Sequence, residues 1–272
     1  MSVNVKEKEK QEALEKKEYW WWAEKSRSPR LNYLRKAVWS KATKGSSFLP
    51  GIEICTDSMR LYTEKFRDAD PAEAFIITRA RAFAHMLDNI PIFIIDHSRI
   101  VGYPGSAPHR LIWIPIASYG INEDTYNDRT GIIKEEDRPW LKEMVDWWKR
   151  RTYQAKCEKY LTRREKMVTM LGVFIQPGRN ITGFDFVTPQ LDWMFKLGYE
   201  GIIKSIDEKL AEAYKKLHAE TPDAPEQVIL LQKIDTWEAM KICLEAGIRY
   251  ARRYSRLAKT IAESLETDPQ RK

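Results

Sequence analysis

The stretch that most constrains this chain runs from Ala72 to Gly102, AEAFIITRARAFAHMLDNIPIFIIDHSRIVG. Its first half places Ala74, Ile77, Ala80, Arg81, Ala84 and Leu87 at the i, i+3, i+4, i+7 spacing of one helical face. Asp70 and Pro71 suit an N-cap followed by a first helical residue. Asp88 and Asn89 end the helix, and Pro91 cannot continue it because its ring nitrogen carries no hydrogen. The apolar run Ile92–Ile95 is too short for a surface helix and predicts a buried strand. A turn at Asp96–Arg99 and a second short extended piece at Ile100–Val101 follow.

The flanks repeat the helical period. Helices are predicted over Thr56–Phe66, with Thr56 or Asp57 as cap, over Glu135–Arg151 and over Arg163–Phe174. Two more are predicted at Ile202–His218 and Val228–Thr267, the second as two helices or one bent near Gly247. Trp140, Met144, Trp147 and Trp148 share one side of the Glu135–Arg151 helix. Residues 103–131 read as irregular, with Leu111–Ile114 extended. The fold class is therefore mainly α with a few short strands, and its helix content should far exceed the usual third. A charged, Trp-rich extension over residues 1–50 precedes the body at 51–272.

Composition removes several function classes. No run of about 20 apolar residues exists, so no membrane-spanning helix is expected. The first 22 residues are charged and lack the apolar core of a signal peptide. Cys55, Cys157 and Cys243 are far apart and odd in number, which suits free thiols in a reducing cytoplasm and offers no zinc spacing. The net charge of +7 is spread over helices with acids nearby, and no nucleic-acid-binding module surrounds the densest pairs, Arg150-Arg151 and Arg163-Arg164. Trp20-Trp21-Trp22 is expected to bury against the body rather than to meet a membrane or a partner.

Several weak motifs in order resemble the glycyl radical enzymes, the pyruvate formate-lyase family. They begin with Arg79-Ala80-Arg81-Ala82-Phe83 and Ile94-Ile95-Asp96-His97-Ser98-Arg99-Ile100-Val101-Gly102. Leu197-Gly198-Tyr199-Glu200-Gly201-Ile202 before a long helix is similar to the family's Gly-(aromatic)-x-Gly-Ile run. Ala251-Arg252-Arg253-Tyr254-Ser255 through Glu266-Thr267-Asp268-Pro269 is similar to its Glu-x-Asp helix. The front end, Ser28 to Arg35 and Leu61 to Glu64, looks like the branch acting on aromatic compounds. The resemblance implies the N-terminal part of a ten-stranded α/β barrel, with this region wrapping the outside and starting the wall. It also implies a homodimeric parent enzyme and a glycyl radical installed by an S-adenosylmethionine-dependent iron–sulfur activating enzyme.

The family's radical chemistry needs a cysteine that becomes a thiyl radical and a glycine that stores the radical, both in loops beyond the segments matched here. Ser98-Arg99-Ile100-Val101-Gly102-Tyr103 imitates the Arg-Val-x-Gly-Tyr radical loop, but Val101 stands where the family has a small residue. Gly102 reads instead as backbone freedom before the Pro104-Gly105 turn. None of the three cysteines has the family's Gly-Cys-(apolar)-Glu surroundings. The chain is thus expected to hold no catalytic residue and no cofactor, and to be inactive without a C-terminal portion. A non-catalytic helical subunit is the alternative. Apolar surface is expected to lie open around Ile92, Phe93, Ile94 and the Trp147–Trp148 face.

The resemblance also points to a substrate pocket just before the Leu-Gly-x-x-Gly-Ile run. Members that eliminate water place a His there. This chain has Gly183-Phe184-Asp185-Phe186-Val187-Thr188-Pro189. Phe184 and Phe186 could pack on an aromatic substrate, with Asp185 as a polar contact, or could be plain core residues. The expected parent activity is a lyase of the arylacetate decarboxylase kind, then a fumarate-adding arylalkylsuccinate synthase.

Overall fold

A computed structural model describes residues 28–34, 54–95, 99–102, 111–112, 134–152, 155–156, 159–170, 191–219 and 224–267. They are mostly helical. In order they form β1 (Ile54–Cys55), α1 (Asp57–Arg67), α2 (Phe75–Asn89), β2 (Leu111–Ile112), α3 (Arg138–Trp148), α4 (Arg163–Met170), α5 (Leu191–Ala219) and α6 (Ala224–Thr267). A helical stretch at 29–34 precedes them, and one 3₁₀ turn, Glu135–Asp137, leads into α3.

The helix α2 is the centre of the described body. Its apolar side, Ile77, Ala80, Ala84 and Leu87, is buried, and Ala239 and Ala246 of α6 pack against it. Alanine facing alanine removes the side-chain bulk that would hold two helix backbones apart. Ala82 points the other way and is fully buried among Met59 and Tyr62 of α1 and Leu141, Met144, Val145 and Trp148 of α3. Arg81 shares the spacing of the apolar side but stays exposed and pairs with Glu73 at 2.6 Å.

Both ends of α2 differ in detail from the sequence expectation. The N-cap position is Ala74, not Asp70. Asp70 closes the preceding turn, its Oδ1 accepting the Ala72 N–H at 2.8 Å. Glu73 then folds over the first helical turn and accepts from the Thr78 hydroxyl at 2.8 Å, where a carboxylate meets the positive end of the helix dipole. At the other end Ile90 is extended (φ −60°, ψ 134°), as the residue before a proline must be.

The strands needed the largest corrections. Ile92–Ile95 is half-buried and irregular, not a strand, and Ile100–Val101 is exposed and likewise irregular. An apolar run becomes a strand only where another strand lies alongside to take its backbone hydrogen bonds. Leu111–Ile112 has such a neighbour. It pairs in parallel with Ile54–Cys55, Ile54 opposite Leu111 and Cys55 opposite Ile112. The extended reading therefore holds for those two residues, while 113–114 lie outside the described ones. Cys55, the last residue of β1 before α1 begins at Asp57, is fully buried.

On the aromatic side of α3, Trp148 is buried and Trp140 and Trp147 are half-buried against the core. Trp148 is 1 % exposed, and its Nε1–H donates to the Thr63 hydroxyl at 3.0 Å. That hydroxyl donates onward to the Met59 carbonyl at 2.8 Å, so the buried indole leaves no orphan donor. Phe66 and Trp147 contact the Trp148 ring edge-on at 5.1 and 4.8 Å. Trp147 is covered by the Arg151 guanidinium, 4.4 Å from its centroid. The expected exposure of the Trp147–Trp148 face is thus overturned.

The last two helices pack together through Ile206, Leu210 and Ala213 of α5 and Ile234 of α6. The helix α6 is continuous over 44 residues and does not divide at Gly247. The break falls in α5, at Gly198 (φ 64°, ψ 175°).

Candidate functional site

Helices α2, α5 and α6 enclose an apolar groove of about 860 Å³. Three sequence features build it. Ile76, Arg79 and Phe83 project from the side of α2 next to its buried face. Gly198 adopts a backbone conformation open almost only to glycine. Trp193 and Leu197 before this break, and Ile202 and Lys209 after it, line the same groove. On α6 the spacing of Trp237, Met240 and Leu244 completes the wall, with Cys243 between them.

Gly247 has a different task from the bend expected of it. A Cβ there would lie 3.0 Å from Cε2 of Tyr199, so glycine lets the first residue after the α5 break lay its ring on α6. The signal was present in the sequence as a glycine inside a long helical pattern, which marks either a bend or a close approach. Only the packing distinguishes the two.

Among the described residues no carboxylate lines the groove. Burial pushes the Tyr62 phenol above its ordinary value, opposed by charge and hydrogen bonding from Arg79. Burial likewise pushes the Cys243 thiol up, with Arg79 a weaker opposing influence. At neutral pH the thiol is protonated and a poor nucleophile.

Cys243-Leu244-Glu245 matches part of the family's cysteine motif, with Ile242 in place of the glycine. Its setting is wrong. It lies within continuous helix, and residues two apart on a helix do not face each other, so Glu245 cannot serve the thiol. Gly102 fares no better as a radical store. It has φ 107°, and its neighbours Ile100 and Val101 are 86 % and 48 % exposed. The positive φ supports the backbone-freedom reading. A carbon-centred radical there would stand open to solvent and oxygen, so the described residues do not fit the radical chemistry. Cys157 lies outside the described residues.

A second feature ties α6 to the end of α2. Arg253 donates to the Leu87 carbonyl, and to the Ile90 carbonyl at 2.6 Å. These are carbonyls that a helix C-terminus leaves without partners. Arg249 forms a two-pronged pair with Asp88 at 2.9 and 2.8 Å. Neither arginine was singled out for this role in the sequence, where Ala251 to Ser255 stood only as a family motif. Phe184, Asp185 and Phe186 lie outside the described residues, so the structure does not bear on the expected substrate pocket. Among the described residues there is no group of His, Cys, Asp and Glu able to hold a metal ion. No helix among them is long and apolar enough to cross a membrane.

With this helical body in view, comparison with known proteins identifies the class. The family model for pyruvate formate lyase-like proteins matches residues 19–272. The chain therefore belongs to the pyruvate formate lyase-like family, that of the glycyl radical enzymes. It is 26 % identical over 257 residues to (2S)-3-sulfopropanediol dehydratase of Klebsiella oxytoca, covering 90 % of this chain and 28 % of that protein. It is 26 % identical over 224 residues to trans-4-hydroxy-L-proline dehydratase of Clostridioides difficile, covering 78 % of this chain and 26 % of that protein. The glycerol-bound, B12-independent glycerol dehydratase of Clostridium butyricum shares the fold, with a TM-score of 0.69 at 23 % identity over 91 % of this chain and 30 % of that one. The chain thus spans less than a third of the length of these relatives.

Proposed function

We propose that this chain supplies the N-terminal part of a glycyl radical enzyme and works only with a C-terminal portion carrying the thiyl cysteine and the radical glycine. The observation that carries this reading is the family match over residues 19–272 to proteins of which the chain spans under a third. In it, residues 51–272 belong to the family domain and 1–50 extend it. The parallel pair β1–β2 would start the barrel wall, and α1–α6 would wrap its outside. The parent enzyme would be a cytoplasmic homodimer of anaerobic metabolism, activated by an S-adenosylmethionine-dependent iron–sulfur enzyme.

Elimination of water from a hydroxylated substrate is the chemistry this reading favours, because the sulfopropanediol and hydroxyproline enzymes are dehydratases. A second reading, an arylacetate decarboxylase first or a fumarate-adding arylalkylsuccinate synthase second, rests on Phe186 or Val187 standing where a hydroxyl-binding His is expected, with Phe184 and Asp185 alongside. A ring cannot bond a leaving hydroxyl but packs well on another ring.

The test is anaerobic co-expression of the chain with the C-terminal portion that completes it and the activating enzyme. Electron paramagnetic resonance should show a glycyl doublet only when all three are present. The assays then separate substrates: diols and hydroxyproline on one side, arylacetates and toluene-like hydrocarbons with fumarate on the other. Aromatic turnover without diol dehydration would replace the first chemistry by the second. A stable, monodisperse monomer that recruits no complementary portion would favour a non-catalytic helical subunit over both.

A further inference from the structure

Five large apolar side chains from three different helices stand open around the groove. Ile76 is 40 % exposed, Phe83 37 %, Trp193 52 %, Leu197 51 % and Met240 46 %. Scattered exposed apolar residues are ordinary on any protein, but convergence of this kind on one concave surface marks a place for another apolar surface. The fold does not place them there by default. It takes the Gly198 break to bring Trp193 and Leu197 to the groove that Ile202 and Ile206 also line. The rim is basic: Arg79 of α2 and Lys209 of α5 both stand exposed beside the apolar walls, and no acid among the described residues lines the groove.

We propose that this groove seats an amphipathic helical segment of the complementary C-terminal portion, with acidic residues flanking its apolar stripe. The proposal rests on the reading of the chain as part of a longer glycyl radical enzyme. Relatives sharing this fold carry about 70 % of their length outside the region it covers, so most of the apolar surface available to close the groove belongs to that portion. A groove walled by apolar residues of three helices suits helix-in-groove docking, in which anchors at i, i+3, i+4 and i+7 enter an apolar channel. Arg79 and Lys209 then set the register by pairing with acids at its edge.

The experiment places the photo-crosslinking residue p-benzoylphenylalanine at Met240 in one preparation and at Tyr160, 88 % exposed and remote from the groove lining, in another. Each is co-expressed with the complementary C-terminal portion. A crosslink from position 240 into that portion, mapping to a segment with an apolar stripe and flanking acids, is the expected result, with none from position 160. In parallel, Trp193→Glu should weaken association about tenfold or more, as replacing a central apolar anchor by a charge does, while helix content stays the same. Association of the two portions with a crosslink that closes within this chain, or with Trp193→Glu binding unchanged, overturns the docking proposal and leaves the function reading standing. Failure of the two portions to associate at all overturns both.

Discussion

The α1–α3 side of α2 and the α5–α6 side obey different rules, although both are built from amphipathic helices. On the first side the aromatic residues are finished. Trp148 is buried, its one polar hydrogen is bonded through Thr63 to Met59, and its faces meet Phe66 and Trp147. On the second side Trp193, Leu197 and Met240 remain about half exposed around an open groove. The first side is a core that stands on its own. The second is closed where α6 meets α2 around Ala80–Ala239 and Ala84–Ala246 and where Ile206 and Leu210 meet Ile234, and is left open around Trp193, Leu197 and Met240. Count of apolar residues alone would not separate them; what does is whether each large side chain has a facing surface.

The contrast can be broken most forcefully in the finished core. Trp148→Ala removes the largest buried side chain and takes from the Thr63 hydroxyl oxygen the indole N–H it accepts, and should cost about 3–5 kcal/mol. Chemical denaturation followed by the near-ultraviolet signal of the buried tryptophans measures it. A loss below about 1 kcal/mol would mean that this core is not the stabilising one.

A smaller effect is expected at the hinge between the two regimes. Gly198→Ala forces a side chain into a backbone conformation that costs about 1–3 kcal/mol. No steric clash adds to this, because nothing lies within 4 Å of a Cβ built there. The expected readouts are a lowered melting temperature and a change in dye binding at the groove, as Trp193 and Leu197 shift. An unchanged melting temperature would show that the break is not required by the fold.

Trp193→Glu sharpens the comparison from the other side. A half-exposed side chain on an unfinished surface should change the stability of the chain by less than about 0.5 kcal/mol, in contrast to Trp148→Ala. Binding of a dye that reports exposed apolar surface should fall. A destabilisation comparable to that of Trp148→Ala would show that the groove is part of a closed core.

The smallest effect is a titration on the α5–α6 surface. Tyr214 donates to Glu238, and that hydrogen bond, with burial and the Glu238 charge behind it, pushes its phenol up to about 12. Because the folded value is raised, the contact contributes fully below the unfolded value near 10 and is lost as pH rises from there through about 12. Ultraviolet absorbance of tyrosinate should show Tyr214 among several late-titrating phenols, and Glu238→Gln should bring one of them back toward 10. Absence of that change would dissociate Tyr214 from Glu238.

By itself the sequence determined most of what period and composition can carry. The helices around Ile77–Leu87 and Met144–Trp148, the predominance of helix, and the family all follow from side-chain spacing and ordered motifs, which are local properties of a chain. Tertiary structure decided which apolar runs found a partner. Ile92–Ile95 is apolar enough for a strand and has no strand beside it among the described residues, whereas Ile54–Cys55 gave little signal and is paired because Leu111–Ile112 lies alongside. Trp148 and Trp193 look equally apolar in the sequence, yet one is covered and one is not. Gly247, where a bend was expected, instead admits the Tyr199 ring, and the helix break falls at Gly198. Strand pairing and burial depend on residues far away in the chain, and no local pattern contains their positions.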